Sequence, residues 1–530
     1  MAEKRGYGIG LQEFSAIIKR ECVYVDKTEY VYKMAHSKGK NFFLSRPRRF
    51  GKSLLVSTLE AYFQGRRELF RGLAIEKLET EWTEYPVIRL NLSSGKYYEK
   101  ERVHGTISNI LKWHEKDWNV KVDDPYNYDA RLTNLIMAAY EQTGREVVLL
   151  IDEYDAPMLD SITKPDLQDF IRERIRSLFS PRKSQEQYLK FVFLTGISKF
   201  PQLSVFSELN NLNIMTFKPE YEAICGITEE ELLTQMKPDI EWLAEAVSKY
   251  RPMTYDEAKA ELKRMFDGYH FSRNMTNIYC PWSLINAFES GWIENYWFST
   301  GTPSSLIDLL RVKQLTMPEL EGLEADMKRF DAPTERIEDP IPVLFQSGYL
   351  TIKGYDMRRN RFTLGFPNAE VREGFADSLY KYYTPEYIGS RDRMDNALWD
   401  LRDKKTTFEQ FLESVRRWYA GIPYSITDKN QNEQFYEALF YSLMVGIGGD
   451  VEAEGQTSDG RFDIALKMAD AIYILEFKFN KTASEATEQI LKKDYAVRFA
   501  ADARPVWAVG LNISEDRRTI ESYEVVKVKE

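Results

Sequence analysis

The chain has 530 residues, 43% hydrophobic and 14% aromatic content, and a formal net charge of −10. That apolar content excludes a disordered chain and fills about three ordinary domains, while the acidic balance excludes a basic coat for avid nucleic-acid binding but not a local basic groove. Cys22, Cys225 and Cys280 form no C-x-x-C pair, which excludes a disulfide framework or zinc ribbon; without an apolar leader or a run of about 18 apolar residues, a reduced cytoplasmic setting with no membrane partner is expected.

Residues 1–40 contain the mixed stretch Ile9 to Ile18 and then Tyr24-Val25-Asp26-Lys27-Thr28, which read as a short strand and a turn leading into a helix. Next comes an apolar run, Phe42-Phe43-Leu44, followed by Arg46-Pro47-Arg48-Arg49-Phe50-Gly51-Lys52-Ser53. A strand running through a Gly-Lys-Ser loop into a helix is the pattern of a phosphate-binding loop. Backbone N–H groups from Gly51 onward face phosphate, Lys52 reaches the terminal phosphates, and the Ser53 hydroxyl helps hold Mg²⁺. In G-x-x-x-x-G-K-[ST] the first glycine falls at position 46, which is Arg46 here. The competing reading is a surface loop with an accidental Gly-Lys-Ser. Arg48 and Arg49 either serve phosphate in cis or stabilise the loop, and no arginine is assignable as a finger in trans, so a homo-oligomer stays open.

Leu54 to Phe63 has a helical apolar face, Val87 to Leu92 reads as a strand and Val103 to Trp118 as a helix. Val147 to Ile151 is a continuous apolar run, the mark of a strand buried on both faces, and it ends in Asp152-Glu153-Tyr154-Asp155. Unpaired buried charge is costly, so a divalent cation with phosphates is the natural compensation. Asp152 then orients Mg²⁺ and Glu153 the attacking water; capping of the next helix is the bland alternative. A further strand, Phe191 to Leu194, ends in Thr195-Gly196-Ile197-Ser198-Lys199, where Thr195 is either a sensor of the γ-phosphate or ordinary strand-to-loop chemistry. Alternating strands and helices predict a parallel sheet with its ligand at the carboxyl ends of the strands.

From about Lys218 the character turns helical, with an aromatic corner at Gly268-Tyr269-His270-Phe271 and Tyr279-Cys280-Pro281-Trp282-Ser283. The four histidines form no metal-ligand pattern. Gly348 to Ile352 and Arg361 to Leu364 read as two strands around a basic turn, a winged-helix-like unit that either binds nucleic acid or serves as a lid. Two basic clusters, Arg172, Arg174, Arg176, Arg182, Lys183 and Lys353, Arg358, Arg359, Arg361, read first as solvated faces.

Asn432 to Met444 reads as an amphipathic helix carrying Glu437. A strand from Gly460 to Leu466 with Asp463 follows, then Ala471 to Phe479 with Glu476-x-Lys478, then a helix from Ser484 to Phe499 with Gln489. Period two puts Glu476 and Lys478 on one face of an apolar strand, where unpaired charges are expensive. Asp463 meets Glu476 over a shared Mg²⁺, Lys478 positions water and stabilises developing charge, and Glu437 completes the outer metal shell. A buried Asp/Glu/Lys packing network is the alternative.

These motifs, with Gly10, Asn210-Asn211-Leu212 and Gly348-Tyr349-Leu350, resemble a bacterial family joining an AAA-ATPase-like domain to a PD-(D/E)xK nuclease-like domain. In that family the arginine-rich loop lacking its first glycine is the norm. The resemblance implies Mg²⁺-ATP at the first site, a catalytic role for Gln489 and a restriction-endonuclease-like fold at the carboxy terminus, but no substrate. The expected organisation is an α/β P-loop NTPase with a parallel sheet over 1–217, a helical and winged-helix-like region over 218–370, a helical connector over 371–420 and the nuclease-like α/β domain over 421–530. The expected function is an ATP-hydrolysing switch controlling a Mg²⁺-dependent nuclease acting on DNA, in defence or mobile-element control. The alternative is a nucleotide-dependent signalling protein whose nuclease-like domain docks a partner without cutting.

Overall fold

The computed structural model describes residues 3–529 except 162–163, 181–184, 199–211, 299–315, 333–338, 384–389, 423–432, 454–455, 458–459 and 462. Arg182, Lys183, Lys199, Asn210 and Asn211 therefore lie outside the described residues. The chain forms two compact units, 1–299 with 322–369, and 300–321 with 370–530. The expected boundary after 217 falls inside the first unit, that after 370 lies one residue from the observed division, and that after 420 falls inside the second.

In the first unit, strands β1 (Asn41–Ser45), β2 (Val87–Asn91), β3 (Val147–Asp152), β4 (Leu189–Gly196) and β5 (Asn213–Ile214) form a parallel sheet in the order β2-β3-β4-β1-β5. Every residue of β1 and β3 is buried, as continuous apolar runs require when helices cover both faces. One covering helix, Tyr128–Thr143, starts on Asn127, whose side chain accepts from the Ala130 N–H, and stops at left-handed Gly144. Its Leu132, Leu135, Ile136 and Ala139 recur at helical spacing and bury against the sheet. The register pairs Ser45 with Gly196 and Ile151 with Leu194, so β1, β4 and β3 end side by side. The phosphate loop and the acidic turn thus leave strands that flank β4.

The short strand expected over Ile9 to Thr28 is absent: the stretch holds helix Phe14–Lys19, and residues 22–27 join no strand before helix Thr28–Ala35. Val23 and Val25 pack instead on a helical cluster built around Leu243, Leu262 and Phe288, which half-buries their apolar side chains without a strand partner. That cluster includes the antiparallel pair β6 (Ile227–Thr228) and β7 (Ile278–Tyr279). A second antiparallel sheet, β8 (Leu323–Ala325), β9 (Thr351–Asp356) and β10 (Arg361–Gly365), runs in the order β8-β10-β9. Its β9–β10 hairpin follows helix Ile341–Gln346, with residues 357–360 at the tip.

In the second unit, β11 (Val451–Ala453) is followed by a small hairpin, β12 (Gln456–Thr457) with β13 (Gly460–Arg461), and then by β14 (Ile464–Lys467), β15 (Ile472–Phe479), β16 (Val506–Ser514) and β17 (Thr519–Lys529). The main sheet runs β11-β14-β15-β16-β17, with β15 and β16 parallel and the other pairs antiparallel. The expected strand Gly460 to Leu466 is two strands, and Asp463 stands at the break between them. The expected helix Ser484 to Phe499 is helix Ala483–Lys492 followed by a 3₁₀ turn, Tyr495–Phe499, because Asp494 is left-handed.

Helix Ala483–Lys492 crosses from β15 to β16 and lies directly on Gly510, which pairs with Glu476. A Cβ at Gly510 would stand 2.1 Å from the Ala483 carbonyl oxygen and 2.4 Å from Thr487 Oγ1. Gly510→Ala therefore lifts the helix that carries Gln489. The expected result is a loss of about 1–3 kcal/mol in a denaturant titration.

Candidate active sites

The phosphate loop leaves β1 through a buried arginine. Arg46, 1% exposed, occupies the place of the first glycine and points away from the loop mouth. Its Nη1 donates to the carbonyls of Ser45 and Thr216, both at 2.9 Å, and its Nη2 to that of Tyr221 at 3.0 Å. The guanidinium lies 4.2 Å from the centre of the Phe271 ring, and burial pushes its pKa down to about 10. Arg46→Gly, which restores the usual motif, strips those carbonyls of their donors. It is expected to cost roughly 2–5 kcal/mol, read as a lowered denaturation midpoint.

The other loop residues face the aromatic corner. Arg49, at φ 70°, donates to the carbonyls of Tyr296 and Trp297 and lies 5.2 Å from the Trp282 ring centre. Phe50 packs edge-on against Tyr269 and Phe271, and a Cβ at Gly348 would meet Pro47 at 2.7 Å. The aromatic corner is thus a collar that shapes the phosphate loop. Arg48 is exposed.

Gly51, left-handed at φ 90°, opens helix Lys52–Phe63 with open space where a Cβ would stand, so the helix N-terminus is bare for an anion. Lys52 is buried; its Nζ donates to the Pro47 carbonyl at 3.1 Å and lies 3.9 Å from Glu153 Oε1. Asp152 is fully buried, and neither carboxylate oxygen has a hydrogen-bond partner among the described residues. Burial raises its pKa, and the Ser53 hydroxyl, close but without hydrogen-bond geometry to it, opposes that shift. Two orphaned oxygens beside a serine hydroxyl fit a divalent cation with phosphate oxygens. Glu153, at φ 51°, is half-exposed. Thr195 is fully buried and donates its hydroxyl to the Leu44 carbonyl at 2.9 Å, inside the sheet.

In the second unit Glu476 and Lys478 share a face of β15, as period two requires. Lys478 Nζ donates to Glu476 Oε1 at 3.0 Å, to the Phe477 carbonyl at 2.9 Å and to Glu433 Oε1 at 3.2 Å. Gln489 Nε2 donates to the same Glu476 oxygen, while Glu476 Oε2 is buried with no hydrogen-bond partner among the described residues. Asp463 accepts the Phe477 N–H at 2.7 Å through Oδ2. Its charge reaches Glu476, whose pKa is pushed up to about 8, first by burial and then by Asp463. Burial works against the charge on Lys478, but Glu476, Glu433 and Asp463 outweigh it and raise its pKa. An orphaned oxygen between two carboxylates fits a divalent cation here too.

Helix Glu433–Gly446 reaches Lys478 with Glu433, one turn before Glu437. Glu437 is half-buried and adds its charge near Tyr419. The i, i+4 spacing of the two acids was the signal that could have found Glu433, since both lie on one helix face. Asp155, discussed below, was the other residue that sequence reasoning passed over.

The Glu476 shift has a measurable sign. Its folded pKa lies above the ordinary 4.5, so its contribution to stability is fully present below pH 4.5 and lost as pH rises through about 8. In metal-free buffer the stability of the natural chain relative to Glu476→Gln should fall across that window; a flat difference would remove the shift.

Residues 8–206 match the model of a family described as "Predicted AAA-ATPase", and residues 431–523 match that of the PD-(D/E)XK nuclease superfamily. A relative from Azotobacter chroococcum mcd 1, described as an uncharacterized protein in the vnfD 5′ region, is 32% identical over 531 residues and covers 98% of each chain. Among solved structures, the Aeropyrum pernix ORC1 protein in complex with DNA covers 69% of this chain and 93% of its own. Its identity is 12% and its TM-score 0.22, too low to carry an argument. No helix among the described residues is long and apolar enough to cross a membrane.

Proposed function

Because the chain belongs to the family that joins a predicted AAA-ATPase domain to a C-terminal PD-(D/E)XK nuclease domain, we propose that it is a nucleotide-dependent nuclease. Its first unit binds and hydrolyses ATP, and its second is a Mg²⁺-dependent phosphodiesterase acting on DNA. The observation that carries this reading is found in both units: among the described residues Asp152 and Glu476 are buried carboxylates with an oxygen that has no hydrogen-bond partner, and each feels a buried lysine, Lys52 and Lys478. Packing alone gives little reason to keep such a group, because an unpaired buried charge is among the costliest features a fold can hold.

In the first unit Lys52 meets the terminal phosphates, Gly51 and the helix behind it present bare N–H groups, and Ser53 with Asp152 holds Mg²⁺. Glu153 orients the attacking water. Arg46 and Arg49 shape the loop from behind, and Thr195 ties β4 to β1 rather than sensing phosphate. In the second unit Asp463 and Glu476 hold the metal, Gln489 steadies Glu476, and Glu433 takes the supporting position expected of Glu437. Lys478 orients water and stabilises charge that develops on the scissile phosphate. Bound Mg²⁺ would supply neutralisation of the paired carboxylates and a more acidic water.

The test is to incubate the purified chain with single- and double-stranded DNA and with RNA, in Mg²⁺ or Mn²⁺, with and without ATP. Metal-dependent cleavage of DNA that responds to ATP supports the reading. Tight nucleotide binding with no cleavage of any substrate would favour a docking role for the second unit. The same assay run across protein concentrations reports whether a homo-oligomer is the active form.

A further inference from the structure

A further buried carboxylate, at the acidic turn itself, has a role that neither the phosphate loop nor the acidic pair explains. Asp155 is fully buried, and its Oδ2 accepts the backbone N–H groups of Ile197, at 3.0 Å, and Ser198, at 2.6 Å. Its Oδ1 has no hydrogen-bond partner among the described residues. The neighbouring Tyr154 grips the same segment, donating its N–H to the Thr195 carbonyl at 3.1 Å and its hydroxyl to the Ser198 carbonyl at 2.8 Å.

The other side of that segment belongs to the phosphate loop. The Arg46 N–H donates to the Gly196 carbonyl at 3.2 Å, and the Thr195 hydroxyl to the Leu44 carbonyl at 2.9 Å. Residues 195–198 therefore form a bridge, bonded on one side to the start of the phosphate loop and on the other to the turn that carries Asp152 and Glu153. The bridge has no slack. A Cβ at Gly196 would stand 2.3 Å from Asp155 Oδ1 and 2.8 Å from Tyr154 Cδ1.

We infer that Asp155 is a positioning residue for nucleotide hydrolysis, holding the acidic turn in register with the phosphate loop through the end of β4. The inference rests on the nucleotide reading above. Its physical basis is a difference in tolerance: phosphate binding is spread over a helix N-terminus and a lysine, whereas in-line attack fails when the residue aligning water moves by about 1 Å. Loosening the bridge should cost turnover and spare affinity.

Two full-length variants disturb the bridge from opposite sides. Asp155→Asn keeps an oxygen to accept the N–H pair but removes the charge and sets an amide against Gly196. Gly196→Ala keeps the carboxylate and drives a methyl into it. The measurements are kcat and KM for Mg²⁺-ATP, the ATP Kd and the melting temperature. The expected result for both is a kcat lowered about ten- to a hundredfold with KM and Kd within about threefold of the natural chain. A kcat within about twofold in Asp155→Asn would overturn the inference. So would a rise in KM and Kd that tracks a fall in melting temperature, since that is what a purely structural residue gives. If Asp155→Asn does not fold, Gly196→Ala decides by the same split. A natural chain that neither binds nor turns over ATP would overturn the nucleotide reading, and Asp155 with it. Turnover that Lys52→Ala abolishes, beside an unaffected Asp155→Asn, would overturn the positioning role alone.

Discussion

Asp463→Asn and Lys478→Ala are each expected to lower cleavage by about 10²- to 10³-fold while the chain stays folded. Asparagine at 463 keeps an oxygen to accept the Phe477 N–H, the bond that Asp463 Oδ2 now accepts at 2.7 Å, and so removes the charge proposed to hold metal without freeing the segment. Lys478→Ala acts twice. It removes the cation proposed to face the scissile phosphate, and it withdraws the charge that opposes the upward shift of Glu476, so less of Glu476 would be ionised to hold a metal at neutral pH. Breaking a buried pair by removing one partner also costs about 3–5 kcal/mol, so melting curves accompany the assay. Cleavage at natural rates by both variants, with intact melting curves, would show that the reaction lies elsewhere.

The second large effect is expected at the phosphate loop, where Lys52→Ala should all but abolish ATP binding. Lys52 is buried beside Glu153 and the Pro47 carbonyl, already held where a terminal phosphate would meet it, so its removal loses a preorganised charge contact. Such losses are about 2–5 kcal/mol, or roughly 30- to 5,000-fold in Kd, which calorimetry reads directly. Glu153→Gln should leave Kd near the natural value and slow hydrolysis about 10²- to 10⁴-fold. Glu153 holds a left-handed φ of 51°, a strained conformation outside glycine, and such strain clusters at active sites. Unchanged affinity in Lys52→Ala would mean that the loop does not bind nucleotide.

Much of this was legible along the chain. The apolar run Val147 to Ile151, the Gly-Lys-Ser turn and the strand carrying Glu476 and Lys478 declare themselves because their information is local: continuous burial, one glycine's left-handed turn, and a period of two that sets side chains on one face. The resemblance to the family rested on these stretches, and the matches over 8–206 and 431–523 bear it out.

What the sequence could not determine were relations between segments far apart in it. It showed Arg46 in a glycine's place, but only the fold brings Thr216, Tyr221 and Phe271 around that guanidinium and turns a missing glycine into a structural arginine. It placed an acid on the helix before the nuclease strands; which turn of that helix faces Lys478 was decided by packing, and the answer is Glu433. It read Asp155 as one more acid in a row, because its partners, Ile197 and Ser198, sit more than forty residues away, just past the end of the strand that sheet order inserts between the two halves of the site. Sequence alone determined which groups carry charge and which strands bear them. Tertiary structure decided which of those groups are left without a partner, since that depends on every neighbour the fold brings in, and it is the unpartnered groups that point to a ligand.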